Sequence, residues 1–128
     1  MEFQAAETFK FCTCCRLVWP TREGFLSDGN IRLNGYQASF KDPAEGLLLF
    51  IHMEAGCGTS IAVKAKSFRD IYTGQVYPDS ARGSEKCPGH CLGEFNLERC
   101  DANCKHAYVR ELLQIINQWP KNKSAQKL

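Results

Sequence analysis

The stretch Cys87-Pro88-Gly89-His90-Cys91 is followed, after eight residues, by Cys100-Asp101-Ala102-Asn103-Cys104. Residues four apart lie on one face of a helical turn, so each C-x3-C pair can offer both sulfurs in one direction. Pro88 and Gly89 can bend the first pair, and Asp101 or Asn103 the second. Four sulfurs held this way suit a closed zinc site, in which four thiolates surround the metal tetrahedrally. The expected ligands are Cys87, Cys91, Cys100 and Cys104. The usual knuckle is C-x2-C, so the extra residue is a departure. Two disulfides would use the same sulfurs, and so would an iron–sulfur cluster, although neither common ferredoxin spacing is present. His90 and His106 flank these cysteines and could stand in for one of them, but are rather expected to support the site or face solvent.

An apolar segment follows at once. Tyr108, Leu112, Ile115 and Trp119 recur at helical spacing, and Val109, Leu113 and Ile116 widen the stripe. The spacing predicts a helix from about Lys105 to Trp119, stopped by Pro120, with a loose tail beyond. Upstream, the polar segment from Tyr77 to Lys86, with Pro78 and Gly83, reads as a linker. Ser67-Phe68-Arg69-Asp70 has the form of a capping box opening a short helix that Gly74 ends.

The middle of the chain reads as strands. Leu47 to Met53 is an almost wholly apolar run, suited to a central strand. Thr59 to Ala65 alternates, with Ile61 and Val63 on one face. Ile31 to Phe40 contains Asn34-Gly35, the pair favoured in two-residue hairpin turns because both tolerate positive φ, and predicts a hairpin there. Thr21 to Asn30 is turn-rich, anchored by Phe25 and Leu26. Phe3, Phe9 and Phe11 suggest a short strand leading to the first cysteines.

A second ligand set is spread more widely. Cys12 and Cys15 form a C-x2-C pair, and His52 and Cys57 an H-x4-C pair at the junction of two predicted strands. In a zinc ribbon, turns of two separate hairpins clamp one metal. Gly56 and Gly58 let the backbone turn closely around Cys57. The competing reading makes Cys57 a small core residue and His52 a strand-end histidine. Cys14 is left over between Cys12 and Cys15.

Catalysis finds little support. Cys57 as nucleophile would need His52 as base and Glu54 or Asp70 as orienter, and nothing in the spacing makes them converge. HExxH, G-x-x-x-x-G-K-S/T, G-x-S-x-G and G-x-G-x-x-G are all missing. Cys14-Cys15 lacks the context of a thioredoxin-type redox pair. No catalytic residue is therefore expected.

The chain has 128 residues, enough for one domain with a real core, and eight cysteines, well above the usual share. Its start lacks the basic-then-apolar pattern of a signal peptide, and no run is long and apolar enough to span a membrane. A cytoplasmic location is expected, where clustered cysteines more often bind metal than pair. Residues 1–56 carry five Lys/Arg against seven Asp/Glu, and residues 57–128 eleven against seven. The basic second half, with Tyr72, Tyr77 and Tyr108 taken as exposed, is the feature a nucleic-acid binder would use. No basic stripe interleaved with aromatics is visible.

The segments 25–40 (FLSDGNIRLNGYQASF), 47–63 (LLLFIHMEAGCGTSIAV) and 104–116 (CKHAYVRELLQII) resemble a family of small, uncharacterised, cysteine-rich bacterial proteins, chiefly from anaerobes. The resemblance covers most of the chain. It implies a stand-alone cytoplasmic protein and carries over no catalytic residue.

The expected fold is α+β. A small antiparallel, zinc-ribbon-like sheet of four or five strands, from about 31 to 65, carries the core. A C-terminal helix packs on it, positioned by the four-cysteine metal site. Residues 1–76 form the β-rich part and 77–128 the cysteine-rich part with the helix, packed as one unit. The expected function is structural zinc binding in a macromolecular interaction module, a protein partner being favoured over nucleic acid and no membrane being involved. A thiol or iron–sulfur redox sensor is the alternative, and a nucleic-acid binder the third reading.

Overall fold

The apolar run beginning at Leu47 becomes the middle strand of a three-stranded sheet. In the computed structural model, residues 8–54, 57–81, 84, 85, 87, 89–100 and 103–121 are described. The expectations placed on Phe3, Gly56, Gly83, Lys86, Pro88, Asp101 and residues 122–128 lie outside these. In chain order the strands and α-helices are β1 (Lys10–Phe11), β2 (Val18–Trp19), α1 (Arg22–Ser27), β3 (Ile31–Gln37), β4 (Leu47–His52), β5 (Ser60–Lys64) and α2 (Ala107–Asn117). Three 3₁₀ segments, Pro43–Glu45, Ala65–Ile71 and His90–Leu92, complete the described set. The class is α+β, with small antiparallel sheets and a C-terminal helix.

Strands β1 and β2 form a two-stranded antiparallel sheet, with Lys10 opposite Trp19 and Phe11 opposite Val18. The second sheet has the order β3-β4-β5. Its connections are too short for parallel crossovers, so it is a meander. Among the described residues, segment 31–64 thus holds three strands, fewer than the four or five expected. The α-carbon contacts divide the chain into two compact units. One comprises Met1–Arg32, Phe50–Ile61 and Trp119–Leu128, the other Leu33–Leu49 and Ala62–Gln118.

The first unit is built on Phe25. Its ring meets Phe9, Trp19 and Phe50 at centroid distances of 5.4, 5.2 and 5.0 Å. Burying each such side chain contributes about 1.5–3 kcal/mol. The stretch from Thr21 is a short helix rather than a series of turns. The Thr21 side chain caps it by accepting the Gly24 N–H at 3.0 Å, and Phe25 and Leu26 are its buried anchors. Lys121 is not part of a loose tail. Its Nζ donates to the carbonyls of Leu26 and Ile31 at 2.7 and 2.8 Å.

In the second unit the predicted hairpin at Asn34-Gly35 is overturned. Both residues lie inside β3. The glycine serves close approach rather than a turn. A Cβ at Gly35 would stand 2.8 Å from the Glu94 carbonyl oxygen and 3.2 Å from the Phe95 ring. The next residue, Tyr36, donates its N–H to the same oxygen at 2.8 Å, so residues 94–95 cover this part of an edge strand. Alternation in β3 accordingly breaks, with Gly35 and Tyr36 both buried.

Helix α2 is shorter than predicted at both ends, and His106 is its N-cap. Leu112, Leu113, Val109 and Ile116 are buried as the stripe required. So is Arg110, which the stripe did not include. Its Nη1 donates to the carbonyls of Asn96 and Glu98, and its guanidinium lies 5.4 Å from the Tyr36 ring centre. The capping box at Ser67 is also corrected, because Ser67 sits within the 3₁₀ segment Ala65–Ile71. Tyr108 is buried rather than exposed. It pairs with Tyr72 at 5.9 Å, and the Arg69 guanidinium lies over both rings. No helix among the described residues is long and apolar enough to cross a membrane.

Candidate metal centre

Two turns in the first unit carry the ligands. The first joins β1 to β2 and holds Cys12 and Cys15. The Cys12 N–H donates to the Leu17 carbonyl and the Arg16 N–H to the Cys12 carbonyl, both at 2.8 Å. Arg16 adopts φ 68°, which reverses the chain within so few residues. The Cys15 N–H then points back at Cys12 Sγ, at 3.5 Å. Backbone donors aimed at a sulfur stabilise its thiolate form.

The second turn joins β4 to β5. Every second residue of β4 faces inward, which puts His52 on the buried face with Leu48 and Phe50. His52 is fully buried, its ring edge-on to Trp19 at 5.0 Å. The His52 N–H donates to the Thr59 carbonyl at 2.9 Å, and the Gly58 N–H returns to the His52 carbonyl at 3.0 Å. Gly58 takes φ +69°, the conformation for which glycine is suited. This brings Cys57 back beside the imidazole of His52.

The four side chains converge. Cys12 Sγ lies 3.3 Å from Cys57 Sγ, and His52 Nδ1 lies 3.5 Å from Cys57 Sγ and 3.7 Å from Cys15 Sγ. All four ligand atoms fall within 4.8 Å of one another. Around a tetrahedral zinc with bonds of ~2.0–2.3 Å, ligand atoms stand roughly 3.5–3.8 Å apart. The observed separations lie near this range and the whole set stays within 4.8 Å, so the four residues could hold a metal ion. On the far side of the ring, Glu54 Oε1 is 3.6 Å from His52 Nε2, which has no hydrogen-bond partner. A carboxylate there favours a proton on Nε2 and leaves the Nδ1 lone pair for a metal.

The electrostatics agree. The Cys12 thiol is pushed down to about 5, chiefly by the Cys15 N–H. Thr59, whose Oγ1 is 3.2 Å from Cys57 Sγ, pulls the Cys57 thiol down, but burial and the neighbouring Cys12 leave it raised. One sulfur is thus ready as a thiolate, and the other favours ionisation only when a cation offsets its neighbour.

The site predicted from Cys12, Cys15, His52 and Cys57 is thereby brought together. It is the one converging group of three or more such ligands among the described residues. Cys87, Cys91, Cys100 and Cys104 are not part of it. Of these, Cys104 is buried, the others are half-buried, and Cys100 packs against Cys104 and Ala107. Cys14 is exposed, outside the ligand set. No disulfide is present among the eight cysteines, all of which are described. Cys57 and His52 are adjacent, as a nucleophile and base would be, but two further sulfurs share the same point. Glu54, which the sequence offered as an orienter of His52, does lie beside its ring, whereas Trp19, which walls the histidine, carried no signal in the sequence.

No family model, curated protein or solved structure matches the chain.

Proposed function

We propose that Cys12, Cys15, His52 and Cys57 bind a structural zinc ion in a zinc-ribbon-like arrangement of two hairpin turns, and that the protein acts by docking another protein. The observation that carries the reading is the convergence of three sulfurs and one imidazole Nδ1. Cys3His is a standard closed zinc set, whereas iron–sulfur clusters of the common kinds take four thiolates. Four protein ligands leave no open position for a substrate, which favours structure over catalysis. The metal would lock β1–β2 to the β4–β5 turn, where no strand pairing joins them.

Support for a protein partner comes from the same hairpin. Phe11, Leu17 and Val18 are large, apolar and exposed, and Phe11 and Val18 line a groove with Thr8, Phe9 and Lys10. Of the three tyrosines a nucleic-acid binder would use, Tyr108 is buried, while Tyr72 and Tyr77 are half-buried.

Elemental analysis of anaerobically purified protein tests the metal. Zinc without visible colour, lost in Cys57→Ser, is expected. A visible chromophore with iron and sulfide would replace this reading with a redox one. For the surface, Phe11→Ser with Val18→Ser should keep the zinc and the melting temperature but lose a protein partner that wild type retains. Equal retention would assign docking to another face.

A further inference from the structure

Helix α2 carries a positive charge into the second unit. Arg110 is fully buried, at 0% exposure. An arginine stays charged when buried, so it calls for a counter-charge or a full set of acceptors. Among the described residues it has neither. Nη1 alone is used, donating to the Asn96 carbonyl and, at 3.4 Å, to that of Glu98. Nε and Nη2 are buried without a hydrogen-bond partner. The acid next in sequence does not neutralise the charge, because Glu111 pairs with Arg99 at 2.8 Å. The Tyr36 ring, its centre 5.4 Å from the guanidinium, attracts the cation but brings no net charge.

The two idle nitrogens are not an arbitrary pair. The N–H bonds of Nε and Nη2 run parallel along one edge of the guanidinium. An edge of this kind takes both oxygens of a carboxylate or a phosphate at once.

Residues 96–98, which lie against Arg110, belong to no strand or helix. Side chains of α2 hold their carbonyls, Arg110 those of Asn96 and Glu98, and Gln114 Nε2 that of Leu97 at 2.7 Å. Gln114 stands one turn beyond Arg110 on the same side of the helix. Leu97, Glu98 and Gln114 also line an open surface cleft of about 510 Å³, together with the amides of Asn117 and Gln118. The segment is thus a wall of the cleft and a cover of the guanidinium.

We infer that Arg110 anchors an oxyanion site. A shift of residues 96–98 opens the Nε–Nη2 edge to the cleft, and that edge takes the carboxylate or phosphate group of a small ligand through two parallel hydrogen bonds. The ligand supplies the counter-charge that the buried guanidinium lacks, and the cleft amides offer donors to the rest of it. The site shares no residue with the metal centre and does not depend on it.

Titrating full-length wild type with inorganic phosphate and, separately, with acetate tests it, with ionic strength held constant by chloride. The Arg110 Nε–H resonance in proton–nitrogen NMR should shift saturably, and the melting temperature should rise over the same range. A response to phosphate alone would identify a phosphoryl ligand, and one to acetate alone a carboxylate. Either upholds the site. Arg110→Lys keeps the charge but loses the paired edge, so binding should weaken by about tenfold or more, the worth of one charge-assisted hydrogen bond. If neither anion moves the Arg110 resonance, or if Arg110→Lys binds as wild type does, the site is overturned. Should Arg110→Lys fail to fold, the wild-type resonance decides by itself.

Discussion

The imidazole Nδ1 of His52 and the sulfur of Cys57 stand 3.5 Å apart across the turn between β4 and β5. Five positions separate them, and Gly58 makes the approach possible by taking φ +69°. The same nitrogen is 3.7 Å from Cys15, which belongs to a hairpin far away in sequence. This one imidazole therefore joins the two turns, and its burial beside Trp19 fixes where it points.

Replacing Cys57 by serine should remove the ion bound at this site and lower stability by on the order of several kcal/mol, because metal binding here is coupled to folding. The Trp19 indole, edge-on to His52, provides the probe. Its fluorescence should shift on chelation of wild type and should not respond to chelator in Cys57→Ser. Unchanged zinc content and melting temperature would remove the site.

Gly35 and Gly58 should respond differently to alanine. At Gly35 the new Cβ would meet the Glu94 carbonyl at 2.8 Å, so backbone must move. Overpacking of this kind costs about 1–3 kcal/mol. At Gly58 nothing lies within 4 Å, and only the positive φ opposes the change, at about 1 kcal/mol. Denaturant unfolding of zinc-loaded Gly35→Ala and Gly58→Ala should rank them in that order. An equal or reversed ranking would contradict the close approach at Gly35.

Lys121→Met should destabilise the protein by about 1–2 kcal/mol. It strips the charged donor from the Leu26 and Ile31 carbonyls, and charge-assisted hydrogen bonds are worth somewhat more than neutral ones. Lys121→Arg should recover part of the loss. A midpoint in urea that does not move in Lys121→Met would show that solvent satisfies both carbonyls.

The Cys12 thiol sets a pH dependence of the metal-free protein. Its value falls from 9.0 to about 5 on folding, chiefly through the Cys15 N–H. Between those values the unfolded chain binds the proton and the folded chain does not, so this group adds stability as pH rises. Its contribution is complete above the unfolded value and gone below the folded one. Ultraviolet thiolate absorbance of chelator-treated protein should show a step near pH 5 that Cys12→Ser lacks. A first step only near the ordinary thiol value would refute the Cys15 contact.

Cys14 and Cys15 are both exposed, yet only Cys15 belongs to the ligand set. In zinc-loaded protein a thiol reagent should label Cys14 first, and Cys15 should react only after chelation. Equal rates before chelation would take Cys15 out of the site.

Periodicity alone determined the inward faces of β5 and α2. Alternating or helical spacing fixes which side chains share a surface whatever packs against it, as the buried Ile61 and Leu112 show; the uniformly apolar run of β4 marked a strand but not which face turns inward. The identities of Cys12, Cys15, His52 and Cys57 were equally legible, because few residue types ligate zinc. Their meeting was decided by tertiary structure, since nothing local relates a C-x2-C turn to a strand end forty positions on. The role of Gly35 was decided there too. An Asn-Gly pair satisfies a hairpin turn and a strand crossed by another backbone equally well, and only the position of Glu94 distinguishes them. The same holds for His106. Its neighbours in sequence left it as a stand-in ligand, a supporting residue or an exposed one, but a carbonyl sixty-seven residues away fixes its tautomer and turns its lone pair toward Cys104.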